Sequence, residues 1–320
     1  MYEAIFKVKI FVINYYLEKL TLKNNWIFSI MFFCTLISLF FAFPSYDSID
    51  PNVGRLKLFL IQSNSITEFW KNYNYTNLSY RITVPIFLNI IGGGFISSLI
   101  IRHIIGIALF GLCSKIIFNF TRDRVSAVLF SLILALSVPG FTSFCEYRGN
   151  FDGIALFFIV LSFYYKNPFI VICCLIFGFF TDERTLFSVG FLLVYGILSS
   201  QYKNNYHKRY LNPNNVSILA ALFIYVFFRF WIYLEYQINV EEVLQMGNGW
   251  ILLGQINNIP LALWTGLEGF WIIVFICFYF LIQKKDYISA LIYTATVLAL
   301  SVAGNSVTDS TRSIMYMFPA

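Results

Sequence analysis

Charge is what this chain has least of. Only 12% of its 320 residues are Asp, Glu, Lys or Arg, against about 25% in a soluble domain. Histidine is nearly absent, and His103 and His207 stand too far apart for a histidine-based metal centre. The six cysteines form no framework. Cys34, Cys113, Cys173, Cys174 and Cys277 sit inside apolar runs as small hydrophobes, Cys145 has no evident partner, and there is no CxxC pair. Small residues suited to signal cleavage do not follow the first apolar run, which ends at Phe43. Fixed-period repeats are also missing.

What is present is apolar surface. Hydrophobic residues make up 59% of the chain, with 37 Phe and 21 Tyr. No soluble core absorbs that much, so lipid is the expected solvent and the fold class is all-α, a polytopic transmembrane helical bundle. The net charge of +6 is no nucleic-acid signature here, because excess Lys and Arg in a membrane protein report which loops stay in the cytoplasm. Apolar runs predict spans at 26–43, 97–119, 125–144, 151–165, 168–181, 185–199, 215–235, 262–283 and 287–304. A tenth begins near Arg312, and the pattern at "SIMYMFPA" predicts further helices beyond. Residues 1–25 read as a basic interfacial helix, and 26–320 as the membrane domain.

Orientation follows from the basic residues. With the N-terminus inside, the inner segments hold Lys7, Lys9, Lys19, Lys23, "TRDR" at 121–124, Lys166, "YKNNYHKR" at 202–209 and "KKD" at 284–286. The outer segments then hold Asp47, Asp50, Glu68, Glu146, Asp182, Glu183, Glu241, Glu242 and Asp309. The first outer loop, 44–96, is unusually long. Its "VGRLKLFLIQSNSITEFWKNY" has helical apolar spacing and predicts a surface helix. The piece "VPIFLNIIGGGF" is too short to span and is broken by Gly92, Gly93 and Gly94.

Polar groups gather at the outer helix ends. Asp47 and Asp50 follow the first span, Arg81 precedes the short apolar piece, and Arg102 with His103 lies in the outer part of the second span. "CEYRGNFDG" supplies Glu146, Arg148 and Asp152; "TDERT" supplies Asp182, Glu183 and Arg184; "GNSVTDSTRS" supplies Asp309 and Arg312. Charges this near hydrocarbon tend to mark cavities or pathways. The Asp47/Asp50 pair, on one face of a turn, suits a base with a second acid, or two ligands of a divalent cation (Mg or Mn). Structural readings stand beside these: a solvated turn at Asp50–Pro51, Thr181 or Asp182 as a helix N-cap, an Arg148–Asp152 salt bridge, and Arg229 snorkelling or paired with Glu235. Tyr and Trp near span ends read as interfacial belt residues. Arginine suits phosphate through its planar fork.

This layout resembles the GT-C superfamily of membrane glycosyltransferases, which use polyprenyl-phosphate sugars. The likeness rests on "SYDSID" directly after the first span, the long loop, and the "YR…P" stretch with its apolar piece before the second span. It covers residues 26–199 in layout and extends to "DSTRSIMYMFP". Members often carry adjacent acids in that loop, whereas Ser48 and Ile49 separate the two aspartates here. The resemblance implies an inverting transfer of a sugar from a polyprenyl-phosphate donor to a glycan, lipid or protein acceptor. It implies Asp47 as base, Asp50 as second acid or metal ligand, and Arg81, Arg184 and Arg312 on phosphate. His103 and Arg148 are further phosphate candidates, with Asp152, Asp182, Glu183 and Asp309 as supporting acids. Competing functions are a transporter or flippase for a lipid-linked sugar or other anion, an envelope polysaccharide polymerase or acyltransferase, and a structural assembly subunit.

Overall fold

The computed structural model describes residues 25–41, 54–73, 77–145, 151–200, 209–238, 256–305 and 313–318. Asp47, Asp50, Arg148, Asp309 and Arg312, together with the N-terminal segment 1–24, lie outside the described residues. All regular structure among the described residues is helical. In chain order the helices are α1 (Trp26–Phe41), α2 (Gly54–Asn64), α3 (Ile66–Asn72), α4 (Thr83–Ile90), α5 (Phe95–Thr121), α6 (Arg124–Ala135) and α7 (Val138–Cys145). They continue with α8 (Asp152–Tyr164), α9 (Pro168–Phe179), α10 (Val189–Ser199), α11 (Pro213–Tyr236), α12 (Ile259–Leu267), α13 (Phe270–Gln283) and α14 (Tyr287–Asn305). Short 3₁₀ turns occupy Asn77–Tyr80, Glu183–Ser188 and Met315–Met317.

Three helices, α5, α11 and α14, are long and apolar enough to cross a membrane, and a fourth such unit is the bent pair Ile256–Leu267 plus Phe270–Gln283. Of the remaining expected spans, 26–43, 125–144, 151–165 and 168–181 hold the shorter apolar helices α1, α6, α8 and α9, and 185–199 is a 3₁₀ turn followed by the 11-residue α10. Large side chains such as Phe40, Phe223, Phe227 and Leu291 are exposed on the outside, a surface that water solvates poorly and lipid solvates well.

Two expected spans are broken, each for a local reason. The run at 125–144 divides between α6 and α7 at Leu136–Ser137. Pro139 has no N–H to give the carbonyl of Ala135, and the Ser38 hydroxyl donates to that carbonyl at 2.8 Å instead. The run at 262–283 bends by 86° between α12 and α13. Glu268 turns the chain with φ of +50°, and the Trp271 indole donates to the Leu263 carbonyl at 2.7 Å.

The loop after α1 packs down onto the bundle. Phe59 of α2 joins Val84, Leu88, Phe151 and Ile154 in one buried cluster. Phe69 and Trp70 of α3 join a second cluster with Phe179, Phe180 and Tyr225. Gly92, with φ of +61°, ends α4 in the left-handed conformation that glycine adopts without steric cost. In the bundle α5 packs against α1, α6, α7 and α8, α9 against α8 and α11, and α10 against α14. The free cysteines follow the apolar reading, with Cys34, Cys113 and Cys174 buried.

Candidate functional site

Antiparallel helix pairs bring the start of α8, the end of α9, the start of α10 and the segment after α14 to one end of the bundle. A buried charge network occupies that end. Arg81 reaches it because the turn before α4 is docked against the end of α9. The Trp70 indole donates to the Ser79 carbonyl at 2.7 Å and Gln62 to that of Leu78 at 3.1 Å. Thr83 then donates its N–H to the Phe180 carbonyl at 3.2 Å and its hydroxyl to that of Phe177 at 2.9 Å.

So held, Arg81 donates from Nε and Nη2 to the two oxygens of Glu183, each at 3.0 Å, and its Nη1 lies 3.2 Å from Asp182 Oδ2. Arg184 faces the opposite way. Its Nε and Nη2 reach Asp182 at 2.8 and 2.7 Å, Nη2 also donates to Asp152 Oδ1 at 2.7 Å, and Nη1 donates to the Ser313 hydroxyl at 3.1 Å. The Tyr316 hydroxyl donates to Asp152 Oδ1 at 2.9 Å, and the Arg184 guanidinium lies 5.3 Å from the centre of the Tyr316 ring. Ser188 fixes that turn by donating to the Tyr316 carbonyl at 2.7 Å.

Relative exposure is 1% for Asp152 and Asp182 and 0% for Tyr316. Charges this buried are stable only when paired and hydrogen-bonded, and here every nitrogen of both guanidinium forks has a partner. Burial works against the charged form of Asp182, but Arg184 and Arg81 outweigh it and hold its carboxyl well below the usual range. Glu183 is likewise lowered, burial being overcome by Arg81. Arg81 is raised: burial disfavours its cation, and Asp182 with Glu183 more than compensate.

Sequence candidates thus fall into three groups. Arg81, Asp152, Asp182, Glu183 and Arg184 come together. Asp182 is also the N-cap of the following turn, accepting from the Arg184 N–H at 3.0 Å. His103 stays on α5, its Nδ1 2.7 Å from the Leu99 carbonyl one turn back. The rest lie outside the described residues. Arg148, expected four residues before Asp152, is among these; the partners described for Asp152 are Arg184 and Tyr316. Arg229 stacks on Tyr80, 4.2 Å from the ring centre, and donates to the Tyr225 hydroxyl at 2.8 Å. These aromatic contacts stand in place of the two expected alternatives, snorkelling or pairing with Glu235. Nearby, Arg102 is buried with its guanidinium 4.8 Å from the Phe151 ring centre.

Sequence reasoning missed Ser313 and Tyr316. The only signal was two hydroxyls in an otherwise apolar "SIMYMF", and a tyrosine there reads as an interfacial residue. Among the described residues no group of three or more His, Cys, Asp or Glu suited to a metal occurs; the divalent-cation reading concerns Asp47 and Asp50. Comparisons with protein-family models, curated proteins and solved structures find no match.

Proposed function

We propose that this chain is a multi-pass membrane glycosyltransferase that moves a sugar from a polyprenyl-phosphate donor to an acceptor, working at the end of the bundle that carries the charge network. The convergence of Arg81, Asp152, Asp182, Glu183 and Arg184 from three separate connections is the observation that supports this reading. By the positive-inside rule the basic loops lie in the cytoplasm and this end faces outward.

In the proposed step Asp47 or Asp50 takes the proton of an acceptor hydroxyl. The resulting oxygen attacks the anomeric carbon, the bond from that carbon to the phosphate oxygen breaks, and the lipid phosphate leaves with the electron pair. General-base help of this kind contributes about 10²–10⁴ in rate, and fixed cations stabilise the departing phosphate. On Arg81 and Arg184 every guanidinium nitrogen already has a protein partner. Their part is therefore to hold a rigid, charge-compensated platform. Arg148 and Arg312, which neighbour platform residues in sequence, then contact the phosphate. Asp309 is a supporting acid on the same segment.

Purified protein supplied with a polyprenyl-phosphate sugar and a lipid acceptor tests this. Asp47→Asn or Asp50→Asn is expected to abolish transfer while the protein stays folded; full transfer by both variants overturns the reading.

A second reading, transport of a lipid-linked sugar or other anion, draws support from the 86° break between α12 and α13, because broken helices recur in transporters. Flux of a lipid-linked sugar across vesicles without new glycosidic bonds would favour it.

A further inference from the structure

An elongated apolar cavity of about 590 Å³ runs between α5, α8, α10, α13 and α14. One wall is a single face of α13: Phe270, Ile273, Cys277, Phe280 and finally Lys284 just past its end. Fourteen helical steps from Phe270 to Lys284 span about 21 Å at 1.5 Å per residue, comparable with the roughly 15 Å depth of one leaflet's hydrocarbon. Phe191 and Tyr195 of α10 line the opposite side. Phe318 closes the end nearest the charge network, in ring contact with Phe130 and Phe270.

The other end is open and basic. Phe120, Leu198 and Phe280 are exposed there, and among the described lining residues Lys284 alone carries a charge. Ring contact between Phe120 and Tyr195, and the Arg209–Asp286 ion pair, show that the ends of α5, α10 and α13 share this level. Arg122, Lys166, Lys284 and Lys285 lie in the turns at this end. Asp123 is occupied in capping α6, and Asp286 in pairing Arg209. The excess is cationic.

We infer that this cavity is a binding site for an anionic phospholipid, one acyl chain filling the slot and the phosphate resting on Lys284. Three features fit that occupant: an apolar lining, a wall long enough to reach through one leaflet's hydrocarbon, and, among the described lining residues, a charge only at the mouth. Its mouth lies at the far end of the helices from the charge network, and the site does not depend on the transfer reaction proposed above. A bound lipid would tie α5, α10 and α13 together where they otherwise leave a gap.

The test uses the full chain in phosphatidylcholine nanodiscs containing a minor amount of phosphatidylglycerol with a photoreactive group near the chain end. Label is expected on the inward faces of α10 and α13, around Phe191, Ile273 and Cys277. Lys284→Ala, at an exposed position, is expected to lower phosphatidylglycerol labelling about five-fold and leave a phosphatidylcholine probe unchanged. Val194→Trp, which fills the bore, is expected to remove slot labelling by both probes. The inference is overturned by any of four results: equal labelling in Lys284→Ala; label confined to outer faces such as Phe223 and Phe227; cross-links showing a second copy of the chain in the slot; or displacement of the probe by polyprenyl phosphate more readily than by phosphatidylglycerol.

Discussion

Arg184 and Asp152 stand 32 residues apart in the chain, yet Nη2 of one donates to Oδ1 of the other at 2.7 Å, with the Asp152 side chain fully enclosed. The Tyr316 hydroxyl takes the same oxygen. One carboxyl group therefore ties together α8, the turn before α10 and the segment after α14.

Removing it should be costly. Asp152→Ala leaves a buried guanidinium short of a partner, which typically costs about 3 kcal/mol. Tyr316→Phe removes one hydrogen bond to a carboxylate, about 1.5 kcal/mol. Thermal unfolding in detergent should rank the two variants in that order. The double variant should cost less than the sum, because both losses fall on one oxygen. Strict additivity would show that the three groups do not act together.

Much of this was legible in the sequence, in a specific sense. The long apolar runs locate α5, α11 and α14 to within two residues, because hydrophobic length is a local property. "TDERT" announces a polar helix junction for the same reason. Which arginine meets which acid is different, since Arg81 and Glu183 are 102 residues apart and neither residue's neighbours encode the other. The breaks at Leu136–Ser137 and Glu268 were hidden because the groups that brace them, Ser38 and the Trp271 ring, are themselves inside apolar runs. Tyr316 was passed over because a tyrosine among apolar residues looks the same whether its hydroxyl meets water or a buried carboxylate.

Stability should fall steeply in acid. Burial alone would raise the carboxyls of Asp182 and Glu183, but the neighbouring arginines hold both below their ordinary values. A carboxyl lowered by folding contributes stability that is complete above its unfolded value, about 3.9 for Asp and 4.3 for Glu. That stability is lost as pH falls toward the folded value. The unfolding temperature should therefore be flat from about pH 7 to about pH 5 and drop below about pH 4. Asp182→Asn should lie lower at neutral pH and show a shallower acid drop. An unchanged acid limb would mean that Asp182 is not held in its charged form by the fold.

Arg81→Lys tests whether geometry or charge matters at the docked turn. Arginine gives Glu183 two parallel bonds and Asp182 a third contact. Lysine keeps the charge but offers a single ammonium in place of the fork. A loss of about 1–2 kcal/mol in the unfolding equilibrium is expected, together with faster proteolysis of the chain around Tyr80. Wild-type stability in Arg81→Lys would reduce the site to simple charge neutralisation.

The closeness of α7 to α8 is set by a residue with no side chain. A Cβ on Gly153 would collide with the backbone of Ser143, which has no flexible end to move aside. Gly153 directly follows Asp152, so an added methyl group must push the start of α8, and Asp152 with it, away from Arg184 and Tyr316. Gly153→Ala should destabilise by about 1–3 kcal/mol through overpacking. It should also be markedly sub-additive with Asp152→Ala, because both disturb the same contacts. Gly178→Ala is the control: its Cβ would meet only Ile159, Phe158 and Ala155 at 3.7 to 3.8 Å, ordinary contact distances. In the last turn of α9 that change should be neutral or stabilise by less than about 1 kcal/mol. If both alanine variants behave alike, the tight α7–α8 approach is not what places Asp152.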